Sequence, residues 1–129
     1  MKIAISSAGQ RFESDIDPRF GRCKYFIVVD TDTKKFEAFP NENAEAMGGA
    51  GIKAAQFVAD LDVEAVLSGN IGPNAFDVLN AAGIQILTSA GGTVSDAVRD
   101  FNEGKLKRTE AFTVGPHFGM GKGGRRGRQ

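Results

Sequence analysis

The stretch Lys24-Tyr25-Phe26-Ile27-Val28-Val29-Asp30, followed by Thr31-Asp32-Thr33-Lys34 and then by Lys35-Phe36-Glu37-Ala38-Phe39, decides the fold. Its first part is a run of aromatic and β-branched residues, which is typical of a strand. The polar residues in the middle predict a hairpin turn, and Lys35–Phe39 predicts a returning strand. The early part of the chain therefore supplies an antiparallel pair of strands.

On either side of this hairpin, short apolar strands and helices follow one another. Lys2–Ser6 predicts a strand before the hairpin. Beyond Pro40 the predicted helices and strands are Gly51–Leu61 (helix), Ala65–Ser68 (strand), Pro73–Ala82 (helix), Ile84–Thr88 (strand) and Thr93–Phe101 (helix). Right-handed crossovers between parallel strands then place the first strand at the centre. The predicted fold is α/β, with a ribonuclease-H-like mixed five-stranded sheet in the order 3-2-1-4-5, strand 2 antiparallel, and three helices.

Local signals mark the helix ends and the domain boundary. Thr93 and Asp96 have the spacing of a capping box, and Pro73 and Gly83 stand where a helix begins and ends. The segment 107–114 is a candidate for an additional edge strand. We expect an α/β domain over residues 1–114 and a flexible tail rich in glycine and arginine over residues 115–129.

Composition and charge narrow the class of protein. The 129 residues suit one domain with a real core. Net charge is zero, but residues 116–129 hold four basic and no acidic residues, whereas residues 1–115 hold 12 basic and 16 acidic residues. The single cysteine excludes an internal disulfide and fits a reducing compartment. No apolar run suits a signal peptide or a membrane span, so we expect a cytoplasmic protein with no membrane partner.

Four loops are predicted to meet at one end of this sheet, where open α/β sheets bind ligands. The first, Ser7–Arg22, holds three arginines and leads to the only cysteine. The other three lead through glycine into helix N-termini, whose amides and dipoles attract anions. The predicted anion-binding residues are Arg19, Arg22, Cys23, Gly48, Gly49, Gly51, Gly69, Asn70, Gly72, Gly91 and Gly92. Leu67, Ile71 and Ile86 are expected to form a drier floor beneath them.

Each of these features also has a purely structural interpretation. Glycine pairs before helices are often only tight turns, and the arginines could pair with acidic residues of their own loop. Cys23 is either a metal ligand, with a thiolate favoured by Arg19 or Arg22, or a small buried hydrophobic residue. The soft side chains Met47, His117 and Met120 have no geometry that the sequence fixes.

The motif Asp17-Pro18-Arg19-Phe20-Gly21-Arg22-Cys23-Lys24-Tyr25-Phe26, with the later glycine-rich stretches Gly48-Gly49-Ala50-Gly51 and Gly69-Asn70-Ile71-Gly72 and with Ala82-Gly83-Ile84, resembles the dinitrogenase iron–molybdenum cofactor biosynthesis family. The resemblance covers about residues 1–105. It implies a ribonuclease-H-like fold and a non-catalytic protein that binds or carries a metal–sulfur cluster, containing molybdenum or iron, or its precursor. A protein that donates or accepts the cluster is the implied partner.

The resemblance also indicates which residue would bind the metal. Some family members bind the cluster through a histidine in the segment that matches Arg19–Cys23, and this chain has no histidine there. Cys23 is then the nearest soft ligand, and it is the predicted metal ligand.

Two other classes of function compete with that of a carrier. The basic tail is a candidate for nucleic-acid or protein interaction, because clustered lysines and arginines contact phosphates. Nucleic acid is not the expected partner, since the tail has few basic residues and the body is acidic. A nuclease would need carboxylates gathered around metal ions. The predicted strands Lys2–Ser6 and Ala65–Ser68 carry no carboxylate, and fold likeness alone does not carry activity.

Overall fold

The computed structural model describes residues 1–115, which form one sheet with helices on both faces. The strands are β1 (Lys2–Ser7), β2 (Tyr25–Asp30), β3 (Phe36–Pro40), β4 (Ala65–Leu67) and β5 (Gln85–Leu87). The helices are α1 (Ala50–Ala59), α2 (Pro73–Ala81) and α3 (Val94–Asn102), and a 3-10 turn covers Phe20–Arg22. Every predicted strand and helix is present, with its ends displaced by two residues at most.

The strand order is β3-β2-β1-β4-β5, as the sequence predicts. β2 is antiparallel to both β1 and β3, whereas β1, β4 and β5 pair in parallel. β1 lies at the centre and is buried over all but its first residue, because it has a strand on each side and helices on both faces. The carboxyl ends of β1, β3, β4 and β5 therefore share one edge of the sheet, and the loops that leave it become neighbours.

The two faces of the sheet bury separate cores, and alternate residues of β1 point to opposite faces. Ala4 packs in the core shared with α1 and α2, together with Val58 and Leu79. Ile3 and Ile5 pack in the core shared with α3. The starts of α1 and α2 consequently lie on one side of the sheet, and the start of α3 lies on the other.

The chain after α3 is not an additional strand. Its pairing with β5 is a single bridge between Leu87 and Arg108, and the Thr109 amide donates to Ile86 O at 2.6 Å. Further along, the Thr113 amide donates to Ile71 O at 2.8 Å. The segment therefore runs from the edge of β5 to the loop after β4, and the expected edge strand over 107–114 is wrong.

Two expectations from the sequence concern the remaining chain and the membrane. The predicted flexible tail lies, apart from Gly115, outside the described residues. Within residues 1–115, no helix has the length and apolar character needed to cross a membrane.

Candidate functional site

The loop between β1 and β2, residues 8–24, carries most of the Asp17–Phe26 motif and is called the motif loop below; it folds back onto the end of the sheet. The Asp17 amide donates to Ser6 O at 3.1 Å, and the Asn70 amide donates to Pro18 O at 2.8 Å. A Cβ at Gly69 would lie only 2.7 Å from Pro18 Cα, so only glycine permits this approach. Gly69 therefore holds two loops together, and it does not line the pocket described below.

The 3-10 turn presses the motif against the start of α1. A Cβ at Gly21 would lie 2.9 Å from Gly51 Cα, so two glycine backbones touch here. Phe20 anchors the turn in the core, where its ring lies tilted against that of Phe26 with 5.1 Å between the ring centroids. From the end of β3, the buried Asn41 Nδ2 donates to Gly21 O at 3.1 Å. The turn is thus fixed from three directions.

A small pocket lies between this turn and the starts of α1 and α2. Its volume is about 140 Å³, roughly the volume that five molecules occupy in liquid water. Seven of the predicted residues line it, namely Arg19, Arg22, Gly48, Gly49, Gly51, Asn70 and Gly72. It is smaller than the pockets that hold drug-sized ligands, which span about 300–1,000 Å³. A small ion, or one side of a larger cluster, matches this volume.

The first amides of α1 and α2 remain available at the pocket. Gly49, with a φ of +74°, precedes α1, and Gly72 precedes α2, and no side chain of the described residues caps either helix. Across residues 1–115, no hydrogen-bond acceptor was found for the amides of Ala50–Ile52 or of Asn74–Ala75. Unbonded amides at a helix start, together with the helix dipole, favour an anion.

The start of α3 is closed instead. The Val94 amide donates to Ser14 O and the Ser95 amide to Phe12 O, both at 2.9 Å. Thr93 and Asp96 form the predicted capping box, which uses the Asp96 amide and the Thr93 amide. The predicted convergence of all three glycine-rich starts is therefore wrong, because Gly91 and Gly92 lie with α3 across the sheet and do not line the pocket.

The two arginines of the pocket have different partners. Arg19 forms a two-pronged ion pair with the buried Asp17, through Nε at 3.1 Å and Nη2 at 3.0 Å. Hydrogen bonding to Asp17 raises the pKa of the Arg19 guanidinium above its ordinary value. Arg22 Nη1 donates to Ala44 O at 2.9 Å and Ala46 O at 2.6 Å. Carbonyl oxygens do not neutralise a guanidinium, and within residues 1–115 Arg22 has no carboxylate in ion-pair distance, so it adds a net positive charge to the pocket lining.

Cys23 is not where the sequence-based expectation places it. Its side chain is fully buried among Phe20 and Phe26, and its Sγ donates to Phe20 O at 3.3 Å. Burial, followed by repulsion from the Asp17 carboxylate, raises the pKa of the Cys23 thiol to about 12. The expected accessible thiolate beside the arginines is wrong, because the strand start lies under the turn and not at its surface.

The expected apolar floor is also misplaced. Leu67 packs on the α3 side of the sheet, whereas Ile71 and Ile86 lie within the core beneath α1 and α2. The apolar lining of the pocket comes from Phe20, Ala50, Pro73, Ala75 and Val114. Among the described residues no three of histidine, cysteine, aspartate and glutamate are gathered to hold a metal ion. The described pocket offers hydrogen-bond donors and charge.

Sequence reasoning does not find several residues that line the pocket or hold its lining in place. Gly21 stands inside the quoted motif, so its signal was present, but its contact with Gly51 needs the fold. Asp17 was recognised only as one possible partner of the arginines, although it fixes Arg19. Val114 and Gly115 carry no signal at all, since the chain reaches the pocket only through the hydrogen bonds of Thr113 and Val114 to Ile71.

Taken together, fold and pocket define a small α/β protein with a donor-rich pocket at the carboxyl edge of its sheet. The model of the family described as "Dinitrogenase iron-molybdenum cofactor" matches residues 1–104, and the chain belongs to that family. The suspected resemblance is therefore confirmed.

Individual relatives agree with this assignment. An uncharacterised protein of Methanocaldococcus jannaschii is 32% identical over 113 residues, covering 85% of this chain and 92% of its own. The apo form of the orange protein from Desulfovibrio gigas is 36% identical with a TM-score of 0.85, covering 88% of this chain and 96% of its own. A NifB-like protein from Thermotoga is 38% identical with a TM-score of 0.77, covering 88% and 97%.

Proposed function

We propose that this protein is a small, non-catalytic carrier that binds an anionic metal–sulfur cluster, containing molybdenum or iron, or a precursor of one. The observation that carries the proposal is a set of helix-start amides, at Ala50, Gly51, Asn74 and Ala75, that belong to residues lining an arginine-containing pocket and have no hydrogen-bond acceptor within residues 1–115. Membership of the dinitrogenase iron–molybdenum cofactor family supports a metal-containing cluster as the cargo. The finer assignments, to molybdenum, to the cytoplasm and to a donor or acceptor protein, belong to the same proposal.

The pocket suits an anion that arrives with its own sulfide or oxide ligands. Two helix starts each contribute about half a positive charge, and Arg22 contributes a full one. Sulfide or oxide on the cargo would accept hydrogen bonds from the backbone amides, while Gly48, Gly49 and Gly51 keep side chains out of the way. No protein thiolate is needed in this arrangement, so Cys23 is left out of the proposed site.

Arg19 contributes differently from Arg22. Its ion pair with Asp17 offsets most of its charge, yet the pair is held rigidly because Asp17 Oδ1 also accepts the Arg19 amide at 2.9 Å. We therefore assign Arg19 a positioning role at the rim of the pocket and assign the main electrostatic attraction to Arg22. Because the Arg19 side chain is already ordered, less conformational entropy is lost when the anion binds.

Titration of the protein with tetrathiomolybdate, a small dianion of molybdenum and sulfide, tests the proposal. Replacing Arg22 by glutamine removes charge-assisted hydrogen bonding of roughly 1.5–3 kcal/mol, so affinity should fall about tenfold to a hundredfold. Arg99→Gln is the matched control, since Arg99 lies on α3 in ion pairs with Asp96 and Asp100. The function is wrong if the wild type does not bind, or if both variants lose affinity equally.

A further inference from the structure

A second cavity lies at the outer edge of the sheet, beside the end of β5. Its volume is about 280 Å³, and among the described residues it shares no lining residue with the pocket beside α1 and α2. Thr88 and Ser89, which follow β5 at the carboxyl edge of the sheet, form part of its lining. The segment after α3, residues 105–109, forms the rest. This space is called the β5 cavity below.

The segment 105–109 is fixed to the rest of the protein at both ends. Its first amide donates to Asp100 O at 2.9 Å, and its last amide, that of Thr109, donates to Ile86 O at 2.6 Å. Between these two points, Leu106 packs against the core beneath α3. The side chains that this segment contributes to the β5 cavity therefore start from a held backbone, which lowers the entropy lost on binding a ligand.

The charged residues that line the β5 cavity, among those the structure describes, are all basic. They are Lys105, Lys107 and Arg108. Lys105 Nζ pairs with a Glu103 carboxylate oxygen at 2.9 Å, whereas within residues 1–115 no carboxylate lies in ion-pair distance of Lys107 or Arg108. Residues 1–115 hold 16 acidic and only 12 basic residues, so a cavity lined by three cations stands out from an acidic body. Like charges held close together repel, and an anion between them relieves that repulsion.

A pair of hydroxyl groups adds an unused hydrogen-bond donor to the same cavity. Thr88 is only 8% exposed, and its Oγ1 shares a hydrogen bond with Thr109 Oγ1. Thr109 Oγ1 also accepts the Thr88 amide at 3.2 Å. One proton joins the two hydroxyl oxygens, so the other hydroxyl proton has no acceptor within residues 1–115. Buried polar groups are normally paired, and this donor therefore points to an acceptor inside the β5 cavity.

We propose that the β5 cavity binds the diphosphate group of a small anion, at a site separate from the pocket beside α1 and α2. Lysine, arginine and hydroxyl donors are the side chains that bind phosphate oxygens. Two phosphate groups match the two cations without a carboxylate partner, Lys107 and Arg108. No aromatic side chain of the described residues lines the cavity, so it offers no stacking surface for the bases of a nucleic acid. Recognition would rest on the phosphates themselves.

Titration with inorganic pyrophosphate at low salt, followed by backbone amide chemical shifts, tests this inference. The largest shifts should fall on Thr88, Ser89 and residues 105–109. The double variant Lys107→Gln, Arg108→Gln should lose about tenfold in affinity, because charge-assisted hydrogen bonds to phosphate are lost. The matched control replaces Lys34 and Lys35 by glutamine, the same change in net charge in the turn between β2 and β3 at the opposite edge of the sheet. Its affinity should stay within about twofold of the wild type.

Three results would overturn the inference: no binding of pyrophosphate, shifts confined to the starts of α1 and α2, or equal losses of affinity in the two double variants. Inorganic phosphate should bind about tenfold more weakly than pyrophosphate, and equal affinity for the two ions would contradict a diphosphate site. ADP carries the same group as an ester. Binding of ADP as tight as that of pyrophosphate would identify such an ester as an accepted ligand, and weaker binding would identify the free ion.

The same variants keep this inference apart from the proposed function. The double variant Lys107→Gln, Arg108→Gln should bind tetrathiomolybdate within about twofold of the wild type, since neither residue lines the pocket beside α1 and α2. Arg22→Gln should in turn leave the affinity for pyrophosphate within about twofold. Failure of one proposal would therefore leave the other standing, whereas loss of pyrophosphate binding in Arg22→Gln alone would place the diphosphate in the first pocket and overturn the inference.

Discussion

The starts of α1 and α2 on one face of the sheet, and the start of α3 on the other, follow the same kind of glycine-rich sequence and end in opposite states. At α1 and α2, no described side chain caps the helix, and the amides of Ala50, Gly51, Asn74 and Ala75, four residues that line a pocket, have no acceptor within residues 1–115. At α3, the Thr93–Asp96 capping box and the loop residues Phe12 and Ser14 bond the first amides. Glycine before a helix therefore permits an anion site but does not create one.

The two kinds of helix start differ in which part of the motif loop lies beside them. The motif loop runs past both faces, and its early part supplies carbonyl acceptors to α3. Its later part supplies a guanidinium to the pocket, where an acceptor would have closed the amides. A site of this kind is recognised by counting which amides stay unbonded, which is a property of the fold.

The largest change in stability and binding is expected when Gly21, next to the start of α1, is replaced. In Gly21→Ala the new Cβ would collide with the α1 backbone at Gly51, so the turn would have to move away from the pocket. We expect a loss of about 1–3 kcal/mol in the free energy of unfolding, measured with urea, together with weaker binding of tetrathiomolybdate. Gly91→Ala, before α3, is the control, because a Cβ there meets nothing within 4 Å. Similar losses in the two variants would contradict the packing of the turn on α1.

A smaller effect concerns the closed start of α3 and depends on pH. Hydrogen bonds from Thr93 lower the pKa of the Asp96 carboxyl in the folded state. Because the folded pKa lies below the unfolded one, the stabilisation is present at neutral pH and is lost as pH falls through the folded pKa. Wild type should exceed Asp96→Asn in unfolding free energy near pH 7, and the difference should fade below about pH 4. A difference that is constant with pH would contradict this role.

The smallest effect is expected at Cys23. Burial and a pKa of about 12 keep the thiol protonated and inaccessible, so alkylation of the folded protein at pH 8 should be negligible until denaturant is added. Cys23→Ala should bind tetrathiomolybdate within roughly twofold of the wild type, since the thiol does not line the pocket. Rapid labelling of the folded protein, or loss of binding in the variant, would show that Cys23 belongs to the anion site.

The fold could be predicted almost completely, because it depends on local patterns. The apolar run Tyr25–Asp30, the Pro73 helix start and the Thr93–Asp96 spacing each determine their own element, and right-handed crossovers determine the order. The site could be predicted only in part. Arg19, Arg22 and the glycines of the α1 start follow from the loops that share one edge of the sheet.

The remaining errors have physical reasons that no local pattern contains. Whether Cys23 faces the pocket or the core depends on the direction of one side chain at a strand start. Whether Gly91–Gly92 lines the pocket depends on which face of the sheet α3 covers. Val94 and Val98 of α3 pack with Ile3 and Ile5, so α3 covers the face opposite the pocket. The approach of Gly115 depends on the hydrogen bonds that Thr113 and Val114 form with Ile71, a residue more than forty positions earlier in the sequence.

Backbone amide chemical shifts during titration with tetrathiomolybdate test the proposed anion site most directly, because they report on the individual amides that would bind the anion. We expect the largest shifts at Ala50–Ile52 and Asn74–Ala75 and no shift at the amides of Val94–Asp96. Shifts of equal size at the start of α3, or shifts confined to residues 122–128, would contradict the proposed site.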